Sequence, residues 1–466
     1  MTLIKSISGI RGTIGGQTDD NLTPQNIVRF TSAYATWLIG SLEKQPDKDC
    51  IRVVVGRDSR ISGSMVSDIL CATLISMGLD VINIGQASTP TTEMAVIMEK
   101  ADGGIIITAS HNPKEYNALK LLNNQGEFLN ATESFRVMEI ADEGVFTYQD
   151  VMNLGKMINL TNYEDIHIQA ILDLPVVNVN IISQQNYTVA IDCVNSVGGI
   201  GIPKLLKALG IKKIKELYCE PTGNFPHNPE PLPENLTSIS ETIRNQGADV
   251  GFVVDPDVDR LAIVCEDGNM FGEEYTLVAI ADFILQKRPG NTVSNMSSTR
   301  ALRNVTETYD GAEYFASAVG EVNVVEKMKE VNAVIGGEGN GGVIYPELHY
   351  GRDALIGIAL FLTIMAEKGK KVSEIRAEYP DYYISKNKIQ LSSDTDVDAI
   401  LQSMKKKYKY QPVSTLDGVK IEFNDEWVHL RKSNTEPIIR IYSESKNKER
   451  AEELAKRIMK EIENTI

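Results

Sequence analysis

Four loops of this chain carry residue types that can act together chemically. The first is Thr108 to Pro113, TASHNP, directly after the apolar run GGIII. The Ser110 hydroxyl there can hold a phosphoryl group covalently, dividing one transfer between distant oxygens into two in-line steps. The plainer alternative is a loop serine that caps a helix. Lys120 can serve the same place as a general base or as a cation against phosphoryl oxygens, or it is an ordinary surface lysine. Ser110 beside His111 also suggests a hydrolase pair. Against that, neighbours on an extended chain point to opposite sides, and no GxSxG elbow is present.

The second loop, DPDVDR from Asp255 to Arg260, places Asp255, Asp257 and Asp259 at alternate positions after another apolar run. Three carboxylates suit Mg²⁺, with the remaining positions left to water or phosphate. A calcium loop fits poorly: Glu266 stands at the twelfth position, but Arg260 occupies the sixth, where glycine is needed, and LAIVC reads as a strand. Arg260 can contact phosphate or orient an aspartate. In the third loop, GGEGNGG, Glu338 and Asn340 sit among glycines that let backbone approach a ligand. A carboxylate and an amide suit sugar hydroxyls; a turn without a ligand is the alternative. In the fourth, RKSNTEPIIR, Ser433, Asn434 and Thr435 can form an anion nest between Arg431 and Arg440. A polar turn joining two strands accounts for the turn but not for both arginines.

The elements that must hold these loops follow from hydrophobic pattern. At 466 residues, and at about 150 residues per domain, the chain predicts three or four domains. The first region alternates helix and strand: a helix from Pro24 capped by Thr23, strands at 51–55, 81–84 and 104–107, and helices at 62–77 and 91–100, which together predict a mostly parallel α/β sheet. A second α/β stretch opens at Tyr187, with a helix from Pro203 to Leu209; a third holds DVGFVVD and helices at 273–285 and 353–366. From about Val372 the texture becomes α+β: a helix at 397–407, strands GVKIEF, WVHLRKS and PIIRIYSE, and a charged helix from Lys446. The expected borders are 1–155 for the serine-loop domain, 156–254, 255–370 with the aspartate and sugar loops, and 371–466.

A net charge of −16 opposes binding to nucleic acid, whose backbone is gripped by clustered cations, but permits a small anionic substrate. No run of 18 apolar residues predicts a membrane span, and MTLIKSISGIRG lacks a secretory h-region, so a cytoplasmic protein is expected. Five scattered cysteines without a CxxC pair predict neither zinc nor redox chemistry; Cys193 and Cys265 read as buried thiols.

Taken in order, the SGIRG start, TASHNP, DPDVDR, GEGNGG and RKSNTEPIIR resemble the α-D-phosphohexomutase family of phosphoglucomutases, phosphomannomutases and phosphoglucosamine mutases, over nearly the whole chain. The resemblance implies three related α/β domains with mixed, mostly parallel sheets and a C-terminal α+β domain similar to the TATA-binding-protein fold, around a central cleft. It implies that Ser110 is a phosphoserine completing the Mg²⁺ shell of Asp255, Asp257 and Asp259, with Lys120 as general acid/base and Arg11 nearby; His111 is carried as a further catalytic candidate. Glu338 and Asn340 would contact sugar hydroxyls, Arg260 the substrate, and Arg431, Ser433, Asn434, Thr435 and Arg440 the distal phosphate. Arg57 and Arg60 in GRDSR stay open between support and substrate contact.

The implied activity is interconversion of hexose 1-phosphate and 6-phosphate through a bisphosphate, with a hexose 1,6-bisphosphate as activator. The GIRG opening and the RxSNTEPxxR loop look closest to phosphoglucosamine mutases, so glucosamine 6-phosphate is the expected substrate, with glucose or mannose phosphates on the same mechanism as the alternative. A non-catalytic phosphosugar-binding module is the alternative from another class. One departure stands out. Many family members have a serine-glycine-histidine run where this chain has Asn340, Gly341 and Gly342, and His349 is not assumed to replace that histidine.

Overall fold

Apolar runs and caps become elements much where the pattern puts them. A computed structural model describes residues 2–7, 9–18, 20–42, 50–392, 395–432 and 438–464. Its contacts divide the chain into two units: residues 1–276 with 341–374, and residues 277–340 with 375–466.

The first unit contains two sheets. The helix Pro24–Leu42 starts with proline at its first position and the Thr23 hydroxyl accepting the Asn26 N–H. It packs on a seven-stranded sheet in the spatial order Ile4–Ser6, Gly9–Thr13, Tyr116–Leu122, Gly103–Ile107, Arg52–Arg57, Asp80–Gln86, Met157–Asn159. The last four run parallel; the first three are antiparallel additions, so the sheet is mixed. Val53, Val55, Ile105 and Ile107 face the core under the helices Pro24–Leu42 and Gly63–Ser76, while Val54 and Ile106 face the opposite cluster with Ala95 and Val96. That two-sided burial explains why the parallel strands read as unbroken apolar runs.

The second sheet has the order Leu261–Cys265, Val250–Val254, Thr188–Asp192, Lys213–Leu217. Val254 pairs with Leu261 across an antiparallel hairpin, so the border expected at 254/255 falls inside one sheet, and DPDVDR is its turn. The helix expected from Pro203 runs instead over Gly198–Ala208 with Pro203 inside it. Burial of Ile202, Leu205 and Leu206 outweighs the missing proline N–H. Cys193 and Cys265 are buried free thiols, as read. After residue 340 the chain enters this unit again. Asp353 caps the helix Ala354–Lys368, accepting the Leu355 N–H at 2.7 Å, and that helix is buried from Ala354 through Ala366. A helix apolar on every side is an interior helix.

In the second unit, strands Tyr314–Ser317, Thr292–Asn295 and Ile335–Glu338 are parallel. The C-terminal sheet is antiparallel throughout, in the order Tyr383–Gln390, Ile438–Ser445, Trp427–Lys432, Val419–Glu422, Val413–Ser414. Helices Val397–Lys407 and Lys448–Glu463 cover one face, burying Ile400, Met404, Leu454 and Ile458 against Ile421, Leu430 and Ile441. Among the described residues no helix is long and apolar enough to cross a membrane.

Two glycines separate strain from crowding. Gly144 and Gly341 both have φ in the left-handed region, at 66° and 85°, but a Cβ at Gly144 meets nothing, whereas one at Gly341 overlaps the Leu261 carbonyl. Gly144→Ala is expected to cost about 1 kcal/mol and Gly341→Ala about 2–3 kcal/mol more, because backbone must move. Urea unfolding of both variants checks this; equal losses would contradict it.

Candidate active site

The strand Gly103–Ile107 leads into Thr108, and the chain then leaves the sheet through a left-handed residue, Ser110, with φ +48°. Such a conformation costs about 1–3 kcal/mol outside glycine and persists only where surroundings impose it. Arg60 imposes it. Its guanidinium donates to the carbonyls of Ser110 at 2.5 Å, Asn112 at 2.7 Å, Pro113 at 2.7 Å and Tyr116 at 2.9 Å, and its Nε to Asp58 Oδ2 at 3.0 Å. Asp58 also accepts from Thr108 Oγ1 at 2.7 Å, and that oxygen accepts the Ser110 N–H at 3.0 Å. From strand Gly9–Thr13, Arg11 donates to Asn112 Oδ1 at 2.6 Å. Arg60 therefore supports the loop, and half-buried Arg57 donates to the Asp58 carbonyl at 3.1 Å.

The expectation that His111 points away from Ser110 fails, because a left-handed residue is not extended. His111 Nδ1 lies 3.3 Å from Ser110 Oγ. Burial first, then the charges of Arg260 and Arg11, hold this imidazole well below the ordinary histidine range, so it is neutral. The nearer partner of the hydroxyl is Asp255 Oδ2, which accepts from it at 2.7 Å.

Asp255, Asp257 and Asp259 are all fully buried, and one candidate ligand atom from each lies within 4.8 Å of the other two. The turn between them passes through Val258 at φ +63°, an unfavourable place for a β-branched residue, with its carbonyl accepting the Ala354 N–H at 3.1 Å. Each carboxylate has at least one oxygen tied down by the protein. Asp255 Oδ1 accepts the amides of Asp259 and Arg260, both at 3.2 Å. Asp257 Oδ2 accepts from Thr89 Oγ1 and from Lys120 Nζ, both at 2.7 Å. Asp259 Oδ2 accepts from Arg352 at 2.6 Å and lies 3.7 Å from Lys120 Nζ.

The remaining Oδ1 atoms of Asp257 and Asp259 are buried without a hydrogen-bond partner. Leaving ionised oxygens so is costly unless a cation takes them. Hard oxygen donors converging beside a serine hydroxyl fit a divalent ion such as Mg²⁺. Charge agrees with this: burial and then the neighbouring aspartates push Asp255 well above the carboxylate range. Burial works against ionising Asp257, but Lys120 and the hydrogen bond from Thr89 outweigh it and hold the group low. Burial likewise acts to lower Lys120, yet Asp257 and Asp259 raise it, so the ammonium stays charged.

Lys120 reaches this place because strand Tyr116–Leu122 returns antiparallel beside Gly103–Ile107, with Lys120 opposite Ile106. Arg260 lies 3.4 Å from Glu230 and 3.9 Å from Asp259. Thr89 and Arg352, 168 and 93 residues from the aspartates they hold, carry no local signal in the sequence.

In the second unit, Glu338 is buried at the end of its strand; its Oε1 accepts from Asn295 at 2.8 Å and from the Gly320 N–H at 3.2 Å, and its Oε2 from Asn340 at 3.5 Å. Ser433, Asn434 and Thr435 lie outside the described residues. Arg431 and Arg440, which flank them, are directly paired across two antiparallel strands, and Lys388 pairs with Arg440 from the other side. Three cations thus share one row on the sheet face away from the core. Like charges opposite one another destabilise a sheet, unless an anion offsets them. Lys388 escaped the sequence reading because register alone brings it there. Arg431 also donates through Nε to Asp417 Oδ2 at 2.9 Å.

The buried Arg60 fork gives a direct test. Arg60→Lys keeps the charge but cannot span four carbonyls and Asp58. A loss of about 3–5 kcal/mol in urea unfolding is expected; wild-type stability would show that the loop holds its shape by other means.

Comparison with known proteins agrees with this geometry. Four consecutive phosphoglucomutase/phosphomannomutase profiles match: alpha/beta/alpha domain I over residues 3–147, domain II over 165–268, domain III over 272–383, and the C-terminal domain over 366–461. A Thermococcus kodakarensis protein named phosphoglucomutase/phosphomannomutase is 36% identical, covering 98% of both chains. A Sulfurisphaera tokodaii phosphoglucosamine/phosphogalactosamine mutase is 31% identical over 98% of each. The crystal structure of a Burkholderia thailandensis phosphoglucomutase/phosphomannomutase family protein superposes with a TM-score of 0.84 at 25% identity, covering 99% of this chain and 98% of that one. With family profiles matched from residue 3 to residue 461 and full-length relatives above 30% identity, the chain belongs to the phosphoglucomutase/phosphomannomutase family, the α-D-phosphohexomutases.

Proposed function

We propose that this phosphosugar mutase works through a phosphorylated Ser110 and that its substrate pair is glucosamine 6-phosphate and glucosamine 1-phosphate. The observation that carries the mechanism is the Ser110 hydroxyl, held in a left-handed turn 2.7 Å from Asp255. A nucleophile needs such fixed orientation for in-line transfer. In the forward half-reaction the Oγ–P bond of phosphoserine breaks as a bond from phosphorus to a sugar hydroxyl forms, giving a hexose 1,6-bisphosphate. The bisphosphate then presents its other phosphoryl group to Ser110. Added hexose 1,6-bisphosphate would charge an unphosphorylated enzyme.

Lys120, kept protonated by Asp257 and Asp259, is the proposed acid for the departing serine oxygen, and the proton lost by the attacking sugar hydroxyl restores it. Arg11 holds Asn112 of the serine loop, neutral His111 within that loop lies at hydrogen-bond distance from the serine oxygen, and Arg260 is a proposed substrate contact. Asp255, Asp257 and Asp259 would hold Mg²⁺, which when bound withdraws charge from phosphoryl oxygens during transfer. Glu338 and Asn340 are the proposed partners of sugar hydroxyls. Arg431, Ser433, Asn434, Thr435 and Arg440, with Lys388, are the proposed grip on the phosphate that is not reacting.

The choice of an amino sugar is supported by the name of the Sulfurisphaera tokodaii relative. The 36% identical relative named phosphoglucomutase/phosphomannomutase supports glucose or mannose phosphates as the second reading. Glucosamine, glucose and mannose 1-phosphates assayed side by side with Mg²⁺ and a trace of hexose 1,6-bisphosphate separate the two. At least a tenfold higher kcat/KM for glucosamine 1-phosphate is expected; preference for either neutral hexose would overturn the substrate and leave the mechanism standing. Ser110→Ala is expected to lower turnover by at least a thousandfold on every substrate, and near-normal activity in that variant would remove the covalent carrier.

A further inference from the structure

Behind the three aspartates lies a second buried group of ionisable side chains that the reaction does not use. His167 Nε2 is 3.0 Å and His349 Nε2 3.4 Å from the same oxygen, Asp353 Oδ2. The other nitrogen of each ring is engaged: His349 Nδ1 lies 3.3 Å from Glu93 Oε2, and His167 Nδ1 3.0 Å from Thr91 Oγ1, which also contacts Glu164 at 3.3 Å. The two rings meet edge to face at 6.1 Å. Glu93, His167, His349 and Asp353 are all less than 5% exposed, so His349 cannot serve a sugar as the acid or base missing from the GGEGNGG loop.

The group sits on the elements that deliver the distant donors. Thr89, which donates to Asp257, and Glu93 lie one turn apart on the helix Thr89–Met98. Arg352, which donates to Asp259, directly precedes Asp353, and the next amide, Ala354, donates to the Val258 carbonyl in the aspartate turn. His349 bridges the two elements, with Glu93 on one side and Asp353 on the other. Burial alone would lower its pKa, but the two carboxylates outweigh burial and push it up to about 10, so the bridge is an imidazolium between two anions. Gly351 leaves room for it: a Cβ there would overlap Glu93 Oε2.

We infer that the Glu93–His349–Asp353–His167 group is a positioning device for the metal site, fixing Thr89 and Arg352 so that the unpartnered oxygens of Asp257 and Asp259 converge. The inference rests on reading Asp255, Asp257 and Asp259 as metal ligands. It assigns no second metal: two imidazoles and a carboxylate can hold zinc, but here both Nε2 atoms already share one carboxylate oxygen at hydrogen-bond distance. Groups behind the ligands commonly change metal affinity by about 10–100-fold.

The test is Mn²⁺ binding to the full-length protein, followed by calorimetry and by the electron paramagnetic resonance spectrum of the bound ion. His349→Gln and Glu93→Gln are compared with Asp396→Ala, which removes the cap of the helix Val397–Lys407 in the other unit. Both cluster variants are expected to bind Mn²⁺ about 10–100-fold more weakly, with an altered spectrum, while Asp396→Ala binds as wild type despite its lower stability. Wild-type affinity and spectrum in a folded cluster variant would overturn the inference. So would a stoichiometric transition metal that the wild type retains and His349→Gln loses, since the cluster would then be a metal site itself. Absence of Mn²⁺ binding in the wild type would overturn the metal-site reading first, and the inference with it.

Discussion

Three carboxylates buried together set the terms for everything around them. Asp255, Asp257 and Asp259 have no exposed surface, and at close range in a medium of low polarity they cannot all stay ionised unless positive charge meets them. The chain brings Lys120 from one strand and Arg352 from a turn far along the sequence, and it still leaves two oxygens without a hydrogen-bond partner. That residual need is what supports reading the turn as a place for a cation. The same negative charge keeps Lys120 protonated.

The serine loop answers a different constraint. Ser110 must face Asp255 from a backbone shape that only its surroundings can maintain, and Arg60 supplies five hydrogen bonds to do it. A buried arginine without solvent has no competing partner, so its planar fork acts as a template for the loop. The sheet supplies the rest: Gly103–Ile107 aims the loop, and its antiparallel neighbour returns Lys120 to the same edge.

Much of this was legible in the sequence, and the parts that were not have physical reasons. Apolar runs before TASHNP and DPDVDR marked strands, so both loops could be placed at strand ends; the helices Pro24–Leu42 and Val397–Lys407 follow from proline, caps and periodicity. The direction of His111 was misread because nothing in TASHNP marks Ser110 as left-handed, a shape imposed by Arg60 from another strand's end. The start of the helix Gly198–Ala208 is not legible because proline marks a helix beginning by local rule, whereas here tertiary burial carries the helix through it. Thr89, Arg352 and Lys388 could not be found at all by local pattern. Each is an ordinary residue in its own segment and gains its meaning only from strand register or from a partner more than fifty residues away.

On this mechanism Ser110 itself becomes the carrier of the phosphoryl group. The most direct measurement incubates the purified protein with glucose 1,6-bisphosphate carrying an isotopic label in its phosphoryl groups, and maps the label by mass spectrometry of peptides. Stoichiometric label is expected on the peptide containing Ser110, lost on adding excess hexose monophosphate as labelled bisphosphate appears. Label on another residue, or turnover of sugar phosphates with Ser110 never labelled, would contradict it.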